Sequence, residues 1–169
     1  MDVFGKYYRL SVEIARMISK EDISISEYVS DDGTLRDESC FLDINKSWQV
    51  IHFILTSRQD ESESNCILSK VVLSNNFISK EDLGFGPAMI VFEDEVKEIS
   101  RLLKDISKND FKTLFDFQLL VRKEIYPVNK TTDQFDFFDC LWKNFSSLKS
   151  FYRKASANKQ CVVFFLSSS

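Results

Sequence analysis

The segment 42–57, LDINKSWQVIHFILTS, constrains the rest of the chain more than any other, because apolar spacing, a start signal and the single histidine coincide in it. Ile44, Trp48, Ile51 and Leu55 form one stripe at the 3.6-residue period of an α-helix. Asp43 stands where an N-cap carboxylate would accept backbone N–H groups and meet the positive end of the helix dipole. Val50, Phe53 and Ile54 widen the stripe until little of the circumference is polar, which predicts a helix buried on more than one side. His52 follows Trp48 by one turn and shares a flank with it.

At 169 residues the chain can enclose such a helix in one domain, 1–169, and is short for two. No apolar run approaches the roughly 18 residues of a membrane span, so no membrane association is expected. The opening MDVFGKYYRL lacks the basic start and apolar run of a secretory signal, giving a cytoplasmic expectation. Cys40, Cys66, Cys140 and Cys161 lie far apart without a Cys-x-x-Cys pair. Buried reduced thiols are expected rather than a zinc site or disulfide.

A net charge of −4 argues against a general nucleic-acid binder, which needs clustered Lys and Arg. The charge is uneven. Between residues 21 and 38, Glu21, Asp22, Glu27, Asp31, Asp32, Asp37 and Glu38 face only Arg36. Such a stretch is either a solvated loop or a docking surface for a basic partner.

Along the chain, residues 4–10 predict a short aromatic-rich strand, and Ser11 the cap of a helix over 12–19. Residues 20–40 read as loop, with a helical piece around 25–29 and a turn at Asp31-Asp32-Gly33. Residues 58–65, RQDESESN, hold no apolar side chain and are expected as solvated loop. Residues 66–73 suit helix or strand, and Asn75-Asn76 ends them as a turn. Asp82-Leu83-Gly84-Phe85-Gly86-Pro87 specifies a tight turn before a strand over 88–92. Glu93, Asp94 and Glu95 then open an amphipathic helix through Val96, Ile99, Leu102 or Leu103, and Ile106, with Lys97, Glu98, Arg101 and Lys104 outside. Ser107 and Asp110 resemble a capping box, and Asp116 caps a short helix expected to run until Pro127 turns Tyr126 out of helical geometry. The longest periodic element is 133–157, where Phe138, Leu141, Phe145, Leu148, Tyr152 and Ala155 alternate by three and four. The apolar run 161–166 reads as a buried strand.

Few constellations carry chemistry. His52 alone makes no triad, and on an apolar flank it reads first as a hydrogen-bonded core residue. Gly84-Phe85-Gly86 precedes a strand instead of opening a helix, unlike a phosphate-binding loop, and no cofactor is expected. Tyr126 either lines a pocket or anchors a helix terminus, and Trp48 and Trp142 read as core.

Several stretches together resemble the YfbM-like family of small bacterial proteins. They are Leu42-Asp43-Ile44-Asn45-Lys46-Ser47-Trp48 with Ile51-His52-Phe53-Ile54-Leu55-Thr56, then Asp82-Leu83-Gly84-Phe85-Gly86-Pro87-Ala88 before Glu95-Val96-Lys97-Glu98-Ile99, then Ile125-Tyr126-Pro127, and Leu148 with Phe151-Tyr152 and Ala155. An opening like Gly5, Tyr8-Arg9-Leu10-Ser11 adds a weaker match. The chain has Met89 and Ile90 where the family often carries an arginine, and Asn75-Asn76 in place of a glycine-rich turn. The resemblance implies an α+β fold. With the elements above, the expectation is a single compact domain with a small, mostly antiparallel sheet of three to four short strands packed against several helices.

The resemblance supplies no activity. The family is similar in size to immunity proteins that neutralise toxins, so the leading expectation is a non-catalytic protein-binding domain, an immunity protein being one form of it. Its partner-binding surface would be Asp22, Glu27, Asp31, Asp32, Asp37 and Glu38, against a basic protein such as a toxin. The alternative is an enzyme or small-ligand binder with a pocket near Trp48, His52, Gly84, Gly86 and Tyr126, where the resemblance is densest. A third is a homo-oligomer subunit, given 16 phenylalanines.

Overall fold

The computed structural model describes residues 1–57 and 67–168; the expected loop 58–65 and Cys66 lie outside the described residues. One antiparallel sheet holds five strands in the order β2-β1-β5-β4-β3. At its centre β1, Val3–Ser11, and β5, Gln160–Ser168, pair along their whole length, from Val3 opposite Ser168 to Ser11 opposite Gln160. β4, Pro87–Val91, joins the other side of β5. The three expected strands are these three.

Two edge strands, β2 (Phe41–Asp43) and β3 (Phe77–Asp82), were not expected, and they correct the strand number from three or four to five. Neither carries a strand pattern long enough to recognise. β2 has three residues, and β3 buries Ile78 alone.

β2 also moves the start of the helix expected within 42–57. Its pairing of Leu42 with Tyr7 and Asp43 with Lys6 holds these residues extended, and Asn45–Ser47 forms a 3-10 turn before α3, Trp48–Ser57. Asp43 therefore caps a turn and not the helix, accepting from the Asn45 N–H at 2.7 Å. Ile44, Ile51 and Leu55 are nevertheless all buried, so the stripe survives a break in the helix that the spacing did not reveal.

Helices cover both faces of the sheet. Tyr7, Val91, Val162 and Phe164 meet α3, α4 (Glu93–Lys104), α5 (Lys108–Leu114) and α7 (Gln134–Ala157) in the larger core. Tyr8, Ile90, Val163 and Phe165, the alternate positions, meet α1 (Val12–Ser19) and α2 (Ser26–Val29) in the smaller one. With both faces covered, consecutive residues of β5 are buried, which explains its unbroken apolar run. α7 buries every residue of its expected stripe, and Phe145 stacks on Phe111 with ring centroids 4.4 Å apart. Trp142 packs half-buried beside both rings.

Apart from Asp43, the expected caps form. Ser11 accepts from Ile14, and Ser107 and Asp110 make a reciprocal box; the Asp133 carboxylate adds a cap not expected from the sequence, accepting from Phe135 and Asp136. Asp116 caps α6, Phe117–Arg122, but that helix ends before Pro127 acts: Glu124 turns to φ 52° and the Ile125 N–H closes on the Leu120 carbonyl. No helix among the described residues is long and apolar enough to cross a membrane.

Candidate functional site

Of the five residues expected around a pocket, the fold brings Trp48 and Tyr126 together, with ring centroids 6.3 Å apart. Their polar atoms turn to one residue at the start of β1. The Trp48 indole donates to the Val3 carbonyl at 3.2 Å, and the Tyr126 hydroxyl accepts from the Val3 N–H at 3.0 Å. The Tyr126 N–H in turn donates to Gln49 Oε1 at 3.0 Å. Gly5 lies under this pair, where an added Cβ would come within 2.6 Å of the Trp48 Cβ. The two rings thus fasten the first strand to α3.

His52 stands one turn further along α3, half-buried. Its Nδ1 is buried without a hydrogen-bond partner among the described residues, which corrects the expectation of a hydrogen-bonded core histidine. Burial pushes its pKa below the ordinary value, so the ring is neutral at pH 7. Gly84 and Gly86 sit elsewhere, in the β3–β4 hairpin, with β4 and β5 between them and β1. Both adopt positive φ, 105° and 95°, and both N–H groups donate to Asp82 Oδ1, at 2.7 and 2.9 Å. Their glycine identity is explained by this turn.

The acidic segment is more ordered than a solvated loop. Ile25 and Val29 of the α2 region are buried in the smaller core, and the Asp37 N–H donates to the Tyr8 hydroxyl at 2.7 Å. Arg36 organises the rest. Its guanidinium lies 4.2 Å from the Phe41 ring centroid, donates to the Val29 carbonyl at 3.1 Å, and contacts Asp31 at 2.7 Å and Glu38 at 2.6 Å. Glu27 accepts from the Thr34 hydroxyl and N–H, and Asp37 from the Ser39 hydroxyl and N–H. These bonds favour the charged forms and hold both carboxyl groups below their ordinary pKa values. Asp22 and Asp32 remain exposed.

Two carboxylates missing from the expected set join this face. Glu81, on β3, accepts from the Ser24 hydroxyl at 2.8 Å and the Ile25 N–H at 3.1 Å. With Asp82 and Asp31 it lines a cleft of about 370 Å³ that also contains Lys6 and Ser167. The sequence singles out neither Lys80 nor Glu81, and Asp82 only as the start of the turn through Gly84 and Gly86; the β3 pairing places them here. On the opposite side of the sheet a groove of about 310 Å³ between α4 and α7 gathers Lys104, Lys149 and Arg153, again unforeseen. Among the described residues no three His, Cys, Asp or Glu side chains converge as a metal site requires.

Comparison with known proteins gives the ancestry of this arrangement without an activity. No curated protein matches the chain. Among solved structures it is similar to YfbM from Escherichia coli, a protein of unknown function, at 22% identity and a TM-score of 0.71 over 97% of this chain and 99% of that one. The family described as "Domain of unknown function (DUF1877)" matches residues 1–165, and the chain belongs to that family.

Proposed function

We propose that the chain is a non-catalytic binding domain whose acidic face docks a basic partner protein. The observation that carries this is the anchoring within residues 21–38: buried Ile25 and Val29, Arg36 and the Tyr8 hydroxyl hold Asp31, Asp37 and Glu38 in place before any partner arrives. A charged surface already ordered loses little conformational freedom on docking, and a patch of one sign accelerates encounter with its opposite. Neutralisation of a basic toxin by an immunity protein is the specific form of this role that suits a small acidic domain.

Affinity capture with the wild-type chain and with a D22K/D32K variant tests it, since both side chains are exposed and lie outside the hydrogen-bonded frame. Expected is one basic protein retained by wild type, with association slowed about tenfold in the variant and by added salt. Capture of no protein, or equal binding by both chains, removes the proposal.

A pocket for a small ligand near Trp48, His52 and Tyr126 is the second reading. It is favoured by the unpartnered His52 Nδ1, a polar atom whose burial is unfavourable until something bonds to it. A ligand that moves the His52 ring resonances in NMR supports it; a metabolite panel that leaves them in place counts against it.

A further inference from the structure

The structure points beyond the acidic face to a second site. α4 starts where β4 ends and α7 ends where β5 begins, beside the paired Val91 and Val162, so the two helices run antiparallel. Ser100 and Lys104 lie one turn apart on α4. Ser146, Lys149, Ser150 and Arg153 lie on one side of α7, at the three- and four-residue spacings that share a helix face. Together they line the groove of about 310 Å³.

We propose that this groove binds a small molecule carrying a phosphoryl group. Three cations and three hydroxyls converge there, and no carboxylate lines it. Among the described residues none of the three cations forms an ion pair, although Arg36, Lys46 and Lys70 are paired to Asp31 and Glu38, Asp2 and Glu95. Unpaired like charges gathered in a chain of net charge −4 are unfavourable until an anion joins them.

Lys149 shows this most directly. Half-buried, it spends one N–H on the Ile106 carbonyl at 2.6 Å and stands 5.7 Å from the Trp142 ring centroid, with two donors remaining. Burial pulls its pKa below the ordinary lysine value, with Asp105 partly offsetting that, and a bound anion would reverse the shift. Arg153 Nη2 lies 3.4 Å from the Ser150 hydroxyl, which sets a forked donor beside a neutral one. That supply of donors exceeds the needs of a single carboxylate and suits a phosphoryl group's oxygens. The volume is at the small end for ligand sites, enough for a compact phosphorylated metabolite. The groove has none of the extended basic stripe that a nucleic acid tracks.

NMR titration of the full chain with inorganic pyrophosphate tests this against two charge-matched variants. K104Q/R153Q removes two groove cations; K97Q/R101Q removes two exposed cations of α4 that do not line the groove. Expected are saturable shifts at Ser100, Lys104, Ser146 and Ser150, about tenfold weaker binding in the first variant and unchanged binding in the second. S146A/S150A, which keeps every charge, should weaken binding several-fold. Equal loss in both charge variants, shifts that spread without saturating, or a single-stranded oligonucleotide that binds the same amides more tightly than pyrophosphate would overturn the assignment.

Discussion

The two faces of the sheet are closed by different physics. On one, five aromatic side chains of α5 and α7 and the strand residues Tyr7 and Phe164 interlock: Phe111, Phe138, Trp142, Phe145 and Phe151. On the other, short helices contribute Ala15, Ile18, Ile25 and Val29, and a polar segment is tied down by Arg36, Tyr8 and Glu81. Apolar closure stabilises in proportion to buried area and is punished by cavities. Polar closure fixes positions while adding little net free energy, because every bond replaces one with water. The face that carries the proposed docking surface is therefore ordered but opens at lower cost.

Removing Phe145 strikes the aromatic face hardest. Phe145→Ala empties the space against Phe111 and Trp142 and should cost about 3 to 5 kcal/mol, read as a lower denaturant midpoint with the slope unchanged. A loss near 1 kcal/mol would mean the aromatic face is as loosely closed as the other. Gly5→Ala ranks next. The new methyl would meet the Trp48 Cβ at 2.6 Å and the Phe164 ring at 3.1 Å, and overpacking of this kind costs about 1 to 3 kcal/mol. The same substitution at Gly33 would meet the Glu27 carbonyl at 2.5 Å, so its effect on the acidic face tests whether that face is equally unyielding.

Legibility in the sequence divides along the same line. α4, α5, α7, β5 and the caps at Ser11, Ser107 and Asp116 were readable because their signals are local: a 3.6-residue stripe, an apolar run, a side chain that bonds two or three residues on. β2 and β3 were not, because three residues and one buried isoleucine hold no period. Asp43 shows how a long-range partner wins, since strand pairing with Lys6 overrode a good N-cap position. The acidic segment was visible in composition, but its order rests on contacts such as Glu81 with Ser24, 57 residues apart. Lys104 reads as the outside of its helix and nothing in the sequence singles out Lys149 or Arg153; only the packing of α4 on α7 brings the three into one groove. The unpartnered Nδ1 of His52 leaves no trace in the sequence at all.

Arg36→Met sharpens the comparison at smaller cost. The substitution keeps most of the contact with Phe41 and removes the bonds to Val29, Asp31 and Glu38. Both carboxylate partners are largely exposed, which limits the loss to about 1 kcal/mol. Amide exchange should quicken between residues 26 and 40 and stay unchanged in α7. Quickening in α7 as well would show that the two faces unfold as one unit.

Acid should separate the faces, with the smallest effect per step. His52 is held neutral by burial, so its folded pKa lies below the ordinary 6.5. The unfolded chain therefore binds the proton first, and stability, complete above about pH 6.5, declines as pH falls through the interval down to the folded value. Glu27 and Asp37 respond later. Their carboxyl groups are held below 4.5 and 3.8, so their contribution is present above those values and fades as pH drops through the folded ones. Denaturant midpoints followed from pH 8 to pH 3 should show a shallow early decline that His52→Gln abolishes, then a second that it leaves intact. If His52→Gln left the early decline in place, the buried Nδ1 would not be the group that senses it, and the decline would belong to a carboxylate elsewhere in the fold.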